Sequence, residues 1–273
     1  MKTNKNILLE GQELSRRKVV KALAGAASFM IVPRQVLGGR GIVPPSDKVN
    51  LAGIGTGAKG FSDLLQMDQT GQVNIGAICE VDDRQMERPA KRWPQAPTYR
   101  DFRKMLEQQK DLDAVVVATP DHTHAVAAMA AIQLGKHIYC EKPFTHDIYE
   151  ARKVAQAAQD AKVVTQLGNQ GHSGEGIRLT CEWIWDGAIG EVERVEVWTN
   201  RGGSDRDRSK ETPFIPAELD WVLWLGTAPF RPYHSAYHPE RWRNWWDFGT
   251  GPLGDMASHL IDMPYLDTYT IIV

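Results

Sequence analysis

The sequence has few cysteines and almost no net charge, and both features narrow the class of protein. Cys79, Cys140 and Cys181 are the three cysteines among 273 residues, and none belongs to a CxxC pair. Because thiols so widely spaced are typical of neither a disulfide framework nor a zinc site, we expect buried, reduced cysteines. The net charge is −2 and no basic stripe follows the N-terminus, so no nucleic-acid partner is expected.

Long apolar runs are also missing. The run 22–32 is shorter than the roughly 20 residues of a membrane-spanning helix. It follows Arg16-Arg17 and precedes Pro33, an order typical of a Tat export signal. The alternative is a cytoplasmic helix with a chance arginine pair.

We therefore predict that residues 1–47 are a Tat signal and a linker rich in proline and glycine. The Tat translocon is then a partner during export. The predicted location is the periplasm, with the protein either released there or held at the membrane by an uncleaved signal.

From residue 48 onward, predicted strands and helices alternate. Short apolar runs predict strands over 49–54, 73–79, 114–118, 137–140 and 163–167. The segments between them predict helices over 58–67, 84–92, 101–106, 123–134 and 147–161. This alternation predicts an α/β fold with a doubly wound parallel sheet over 48–168.

The pattern changes after residue 168. A helix is predicted over 176–188 and a strand of alternating character over 192–199, followed by an irregular, tryptophan-rich stretch over 200–250. The segment 169–273 is therefore predicted to be a second, α+β domain. Its tryptophans suit stacking on sugar faces, but core packing is the expected role for most of them.

A glycine-rich turn follows the first predicted strand. Gly55, Gly57 and Gly60 have the spacing G-x-G-x-x-G, which permits a tight turn and close approach to a pyrophosphate at a helix N-terminus. A frame that starts at Gly53 is the alternative register. The residues predicted to hold a cofactor here are Gly55, Thr56, Gly57, Ala58, Lys59 and Gly60.

An acidic residue ends the next predicted strand. Glu80 lies twenty residues after Gly60, where a carboxylate accepts hydrogen bonds from the adenosine ribose and repels a 2′-phosphate. This favours NAD over NADP, although NADP stays open. Asp82 and Asp83 are nearby substitutes for Glu80, and the alternative is a turn with an unrelated surface acid.

Two further loops follow strands at the same predicted edge of the sheet. Thr119, Pro120, His122 and His124 are candidates for holding the cofactor, while helix capping is the alternative for the histidines. No partner with metal-ligand spacing is nearby, so no metal is predicted.

The second loop is Glu141-Lys142-Pro143. Its lysine could polarise a substrate hydroxyl or steady the nicotinamide, and the alternative is a loop salt bridge.

An acid and a histidine occur together near the end of the sequence. Asp255 and His259 are four residues apart, which puts both on one face of a helix. His259 could take a proton from a sugar alcohol while Asp255 orients the imidazole or binds a neighbouring hydroxyl. The alternative is a surface pair.

This ordered set of motifs resembles the Gfo/Idh/MocA family, named for glucose-fructose oxidoreductase, inositol dehydrogenase and MocA. The elements that match are the Gly55–Gly60 turn, Thr119-Pro120 with His124, Glu141-Lys142-Pro143, and Asp255-x-x-x-His259. The resemblance implies a Rossmann domain, a second domain with an open, mostly antiparallel sheet for substrate and subunit contacts, and NAD or NADP as the cofactor. It implies sugar or polyol substrates and assigns catalysis to Lys142, Asp255 and His259.

Family members usually continue well beyond the Asp-x-x-x-His helix, whereas this sequence ends at Val273. The resemblance therefore predicts that 169–273 is a partial domain, and a homo-oligomer is expected only if the full domain is present. A sugar dehydrogenase is the leading hypothesis. A glycosidase that uses transient oxidation by NAD and a non-catalytic binding protein are the alternatives.

Overall fold

The computed structural model describes residues 43–201, 208 and 210–268, and a compact unit begins at Asp47. The predicted Tat signal lies outside these residues, so export stays a prediction. None of the described helices is long and apolar enough to cross a membrane.

Six parallel strands form one sheet in the order β3-β2-β1-β4-β5-β6. They are β1 Val49–Ile54, β2 Val73–Cys79, β3 Thr98–Tyr99, β4 Ala114–Val117, β5 His137–Glu141 and β6 Thr165–Gly168. Strand order reverses between β1 and β4, the position where doubly wound sheets open a ligand crevice at the carboxyl edge. The predicted Rossmann sheet is confirmed.

Six helices connect or follow these strands. They are α1 Ala58–Gln69, α2 Asp83–Arg92, α3 Phe102–Gln108, α4 Asp121–Gln133, α5 Ile148–Ala161 and α6 Glu175–Trp185. Asp82, Asp101 and Asp147 cap three of them by accepting backbone N–H groups. Helix α4 begins at Asp121, two residues earlier than predicted, because Pro120 holds an extended backbone immediately before it.

The sheet is buried on both faces. Alternate residues of the central strands point to opposite sides, so Val115 and Val117 pack in one core cluster and Val116 in the other. Cys79, Cys140 and Cys181 are buried free thiols, as predicted.

The predicted strand over 192–199 is wrong, since these residues have no regular secondary structure. A strand needs a hydrogen-bonded neighbour, and among the described residues none pairs with this segment. No second sheet is formed in the part of the chain that the structure describes. The later elements are the helices α7 Trp221–Leu225, α8 Gly251–Leu260 and α9 Asp262–Thr268, with a 3-10 turn at Arg241–Asn244.

The tryptophan-rich stretch forms an aromatic cluster against the carboxyl edge of the sheet. Trp221 and Trp224 stack with ring centroids 4.6 Å apart, and Trp242 is also buried. Asp220 donates its backbone N–H to the Val81 carbonyl, which ties the cluster to the end of β2. These three tryptophans therefore pack in a core, which is the role expected for most of them.

Candidate active site

A cleft of about 550 Å³ opens at the carboxyl edge of the sheet, where β1, β4 and β5 end. The volume lies in the range of small-molecule and cofactor sites. The predicted site residues that line it are Gly55, Gly57, Ala58, Lys59, Glu80, Thr119, Pro120, His124, Glu141, Lys142 and Asp255. Thr56, Gly60, His122 and His259 do not line it.

The glycine turn has the geometry of a phosphate cradle. Gly55 has φ +76°, and a Cβ there would lie 2.8 Å from the Ala118 carbonyl oxygen. A Cβ at Gly60 would lie 2.0 Å from the Gly55 carbonyl oxygen, so α1 can approach β1 only with glycine at this position. Gly53 lies within β1, so the register that begins at Gly55 is the one that forms the turn.

Two buried hydroxyl groups near the carboxyl ends of β1 and β4 have no partner in the described part of the chain. They belong to Thr56 and Thr119. Thr119 lines the cleft directly. Because buried polar groups are normally paired, a lining hydroxyl left open fits a site that receives a ligand. Together with the glycine cradle, it fits a dinucleotide.

Glu80 sits beside the glycine turn. Its Oε2 accepts the Gly57 N–H at 3.0 Å and its Oε1 accepts the Val81 N–H at 2.8 Å. Burial raises the pKa of Glu80 to about 7, while the backbone N–H groups of Asp82, Val81 and Gly57 act in the opposite direction. The structure thus places this carboxylate at the end of β2, where a ribose is bound in such folds.

Lys59 and Glu141 hold each other in place. The Lys59 ammonium contacts Asp63 and lies 3.1 Å from Glu141 Oε1. Burial raises the pKa of the Asp63 and Glu141 carboxyl groups, and the positive charge of Lys59 acts against that shift. This contact ties the end of β5 to α1 and so fixes the backbone immediately before Lys142.

The two histidines of the β4 loop have different surroundings. His124 contacts the Thr119 and Pro143 carbonyl oxygens, each at 2.6 Å, and so links the loops after β4 and β5. His122 lies between the Phe248 and Trp224 carbonyls, away from the cleft lining. Burial lowers the pKa of His122 to about 4. The prediction that His122 holds the cofactor is therefore wrong, because the aromatic cluster covers its ring.

Lys142 meets Asp255 across the cleft. Its ammonium donates to Asp255 Oδ1 at 2.5 Å and to the Asp255 carbonyl oxygen at 2.7 Å. Burial raises the pKa of Asp255, but Lys142, Arg243 and Arg201 lower it by more. The ion pair therefore holds an ammonium at the carboxyl end of β5. The sequence predicted both residues but not this direct contact.

His259 is held by a residue that the sequence did not reveal. Asn169, directly after β6, accepts from His259 Nδ1 at 2.7 Å and donates to the Ser258 carbonyl at 2.7 Å. The second contact fixes the amide orientation, so Nδ1 carries the proton and Nε2 keeps the lone pair. Burial and the Lys142 charge lower the pKa of His259, against the effect of Asp255. Asn169, not Asp255, orients the imidazole, which corrects the prediction.

Two arginines also approach Asp255. Arg201 Nη1 lies 3.7 Å from Oδ2, and Arg243 Nε lies 3.8 Å from Oδ1. Both line the cleft, with Trp242 beside them. Neither was identified from the sequence, because both lie in the stretch without regular periodicity.

Known proteins resemble this chain over part of its length. A levoglucosan dehydrogenase of Pseudarthrobacter phenanthrenivorans is 29% identical over 186 residues, which are 68% of this chain and 40% of that protein. A glycosyl hydrolase family 109 protein of Stenotrophomonas maltophilia is 35% identical over 138 residues, or 47% of this chain and 29% of that one. The chain thus spans less than half the length of either relative.

A solved structure shares the fold. The crystal structure of myo-inositol 2-dehydrogenase from Lactobacillus plantarum superposes with a TM-score of 0.50 at 22% identity, covering 53% of this chain and 43% of that one. Models of one oxidoreductase family match two segments: its NAD-binding Rossmann fold matches residues 48–169, and its C-terminal alpha/beta domain matches residues 198–267. The chain therefore belongs to the Gfo/Idh/MocA oxidoreductase family.

Proposed function

We propose that this chain binds NAD in the cleft and transfers a hydride between the cofactor and a sugar or polyol hydroxyl. The observation that carries the proposal is the Lys142–Asp255 ion pair, which lies in the same cleft as the glycine cradle. A nucleotide fold alone would specify no reaction. An ammonium in the same cleft adds a group that can stabilise charge on a reacting alcohol oxygen.

The residues that would hold the cofactor are spread along the cleft. The first turn of α1, at Ala58 and Lys59, would meet the pyrophosphate, Glu80 the adenosine ribose, and Thr119 the nicotinamide side. When bound, the nicotinamide supplies a hydride acceptor or donor. The protein residues bind, orient and handle the proton.

Proton handling falls to the groups around Asp255. The Lys142 ammonium would donate a hydrogen bond to the substrate oxygen and stabilise the negative charge that develops there. Asp255 holds the ammonium in position. His259 lies outside the cleft lining but close enough to Lys142 and Asp255 for their charges to shift its pKa. Its Nε2, left unprotonated by the Asn169 contact, would accept the hydroxyl proton.

The proposal is tested on purified protein. Nicotinamide bound after purification, or taken up on titration, is the first expected result, and NADH absorbance with a panel of sugars and polyols is the second. Protein that binds no nicotinamide nucleotide contradicts the proposal as a whole. Protein that binds NAD but turns over none of the panel limits the function to binding.

Glu80 is expected to set the cofactor preference. Because a hydrogen bond to a charged group is worth about 1.5–3 kcal/mol, Glu80→Gln should weaken NAD binding about 10- to 100-fold. The affinity for NADP should approach that for NAD. The titrations should be carried out above pH 7, where the Glu80 carboxylate is charged. Glu87→Gln on the exposed face of α2 is the control. An unchanged NAD affinity in Glu80→Gln would contradict this role.

Asn169 is expected to set the pH profile through His259. The lowered pKa should keep kcat/KM high to below pH 6.5, with loss at lower pH as the imidazole protonates. Asn169→Asp should raise the pKa of His259, because a carboxylate beside Nδ1 favours the charged imidazolium, and should move the acid limb to higher pH. Asn169→Ala removes the partner of His259 without adding a charge, so the acid limb of the profile should not move to higher pH. Overlapping acid limbs in the aspartate and wild-type proteins would argue against His259 as the base.

A glycosidase that uses transient oxidation is the second candidate. The similarity to a glycosyl hydrolase family 109 protein over 138 residues favours it. Both reactions use the same cleft, so the test is the balance of products. Accumulation of NADH indicates a dehydrogenase. Release of sugar from a glycoside without accumulation of NADH indicates the glycosidase.

Export by the Tat route is part of the proposal and rests on Arg16-Arg17 before the apolar run. Replacement of both arginines by lysine should retain the protein in the cytoplasm. Unchanged export would contradict the Tat assignment. The predicted homo-oligomer stays a prediction.

A further inference from the structure

Three cations surround the single carboxylate of Asp255. The Lys142 ammonium contacts Oδ1 at 2.5 Å, and the guanidinium groups of Arg201 and Arg243 follow at 3.7 and 3.8 Å. All four side chains line the cleft. Among the described residues, the Asp255 carboxylate therefore lies within 4 Å of three cationic groups.

Arg243 is placed before any ligand binds. Its guanidinium lies over the Trp242 ring, 4.2 Å from the centroid, and Nη1 donates to the Glu240 carbonyl at 3.2 Å. Its backbone packs closely against Gly249, where a Cβ would lie 2.6 Å from Arg243 Cα. A guanidinium that is already positioned loses little conformational entropy when it binds an oxyanion.

The ion pairs leave these two guanidinium groups ready for a further anion. Separations of 3.7 and 3.8 Å are longer than hydrogen bonds, whereas Arg–carboxylate pairs normally close to about 2.7–2.9 Å. Two other acids lie near Arg243 in the described part of the chain. Glu240 lines the cleft and binds Arg243 through its carbonyl oxygen, and Asp121 Oδ2 accepts the Thr250 N–H at 3.0 Å and the Thr250 hydroxyl at 2.8 Å. Within the described residues, the carboxylate contacts of these guanidinium groups are those to Asp255, at 3.7 and 3.8 Å.

The phosphate groups of the cofactor are not expected to bind between Arg201 and Arg243. The pyrophosphate belongs at the N-terminus of α1, where the neighbours of Gly57 are Glu80 and Gln85. A 2′-phosphate would belong beside Glu80, at the end of β2. Arg201 and Arg243 instead contact the carboxylate that holds Lys142.

We propose that Arg243 and Arg201 form a subsite for a carboxylate or phosphate group on the substrate, so that the preferred sugar is anionic. The inference rests on the proposed function and narrows its substrate class. The anionic group would sit between the two guanidinium groups, and the hydroxyl that reacts would face Lys142.

The test compares matched sugars on the NAD-loaded protein: glucose with glucuronate and glucose 6-phosphate, and galactose with galacturonate. The wild type should favour the anionic member of each pair by at least about ten-fold in kcat/KM. Arg243→Gln should reduce that ratio about ten-fold or more, mainly through KM, because charge-assisted pairs are worth about 1.5–3 kcal/mol. Arg241→Gln, on the same 3-10 turn but outside the cleft lining, should leave the ratio unchanged.

Calorimetric titration of the NAD-bound protein with the same sugars measures binding without turnover. If Arg243→Gln does not fold, Arg201→Gln is the second variant. Preference for glucuronate or galacturonate over glucose 6-phosphate identifies a carboxylate site, and the reverse a phosphate site. Equal or stronger binding of the neutral sugars overturns the subsite, as does an unchanged ratio in both arginine variants. If the variants weaken NAD binding, the arginines serve the cofactor. Failure to bind NAD in the wild type defeats the proposed function itself.

Discussion

Replacing Lys142 by methionine is expected to lower kcat about 10²- to 10⁴-fold, the usual contribution of a group that handles a proton. The Kd for NAD should change little, because the glycine cradle and Glu80 are untouched. The expectation follows from the contact between the ammonium and Asp255, which places it in the cleft with only 14% of the side chain exposed. Steady-state kinetics and NADH fluorescence titration on the same preparations measure the two quantities.

Lys136→Met is the matched control for this variant. Lys136 precedes the amino end of β5, at the opposite edge of the sheet from Lys142, and its ammonium donates to the Lys110 carbonyl. Both variants remove one ammonium next to the same strand. If they lose turnover equally, or if Lys142→Met keeps wild-type kcat, the role assigned to Lys142 is wrong.

Replacing Gly60 by alanine is expected to destabilise the Rossmann domain and abolish tight NAD binding together. The new Cβ would lie 2.0 Å from the Gly55 carbonyl oxygen, which is backbone and cannot rotate away. Helix α1 must therefore move off β1, at a cost of about 1–3 kcal/mol. Since each kcal/mol shifts Tm by about 2–4 °C in a chain of this size, thermal unfolding should register the change.

Gly176→Ala is the control for this variant. Gly176 lies in helix α6, and a Cβ there meets nothing within 4 Å. Alanine should leave stability unchanged or raise it by about 0.5–1 kcal/mol, because alanine favours helix more than glycine does. If Gly60→Ala unfolds at the wild-type temperature and binds NAD normally, the close approach of α1 to β1 is not required.

The parts of the fold set by short-range patterns could be predicted from the sequence. Strands β1 and β2 fall at the predicted residues, since a buried parallel strand is a continuous apolar run between turns. The turn from Gly55 to Gly60 and the edge position of Lys142 follow from the same alternation. The segment 192–199 has a strand pattern without a partner, and pairing is a property that the pattern itself does not contain.

The contacts that complete the site depend on tertiary structure. Asn169 and His259 are 90 residues apart, and no local pattern links an asparagine after a strand to a histidine on a later helix. Arg243 lies in irregular sequence, where periodicity is uninformative. The pairing of Asp255 with Lys142 joins α8 to the end of β5 across 113 residues. Each of these side chains has a plausible surface role in the sequence alone.

The central claim is that the cleft above Gly55 and Lys142 is a nicotinamide site with separate binding and chemical parts. Titration of NADH into the wild type, Lys142→Met and Gly60→Ala, followed by energy transfer from tryptophan, tests it most directly. We expect saturable binding of similar affinity in the first two proteins and none at the same concentrations in the third. No binding by the wild type, or equal binding by all three, would contradict it.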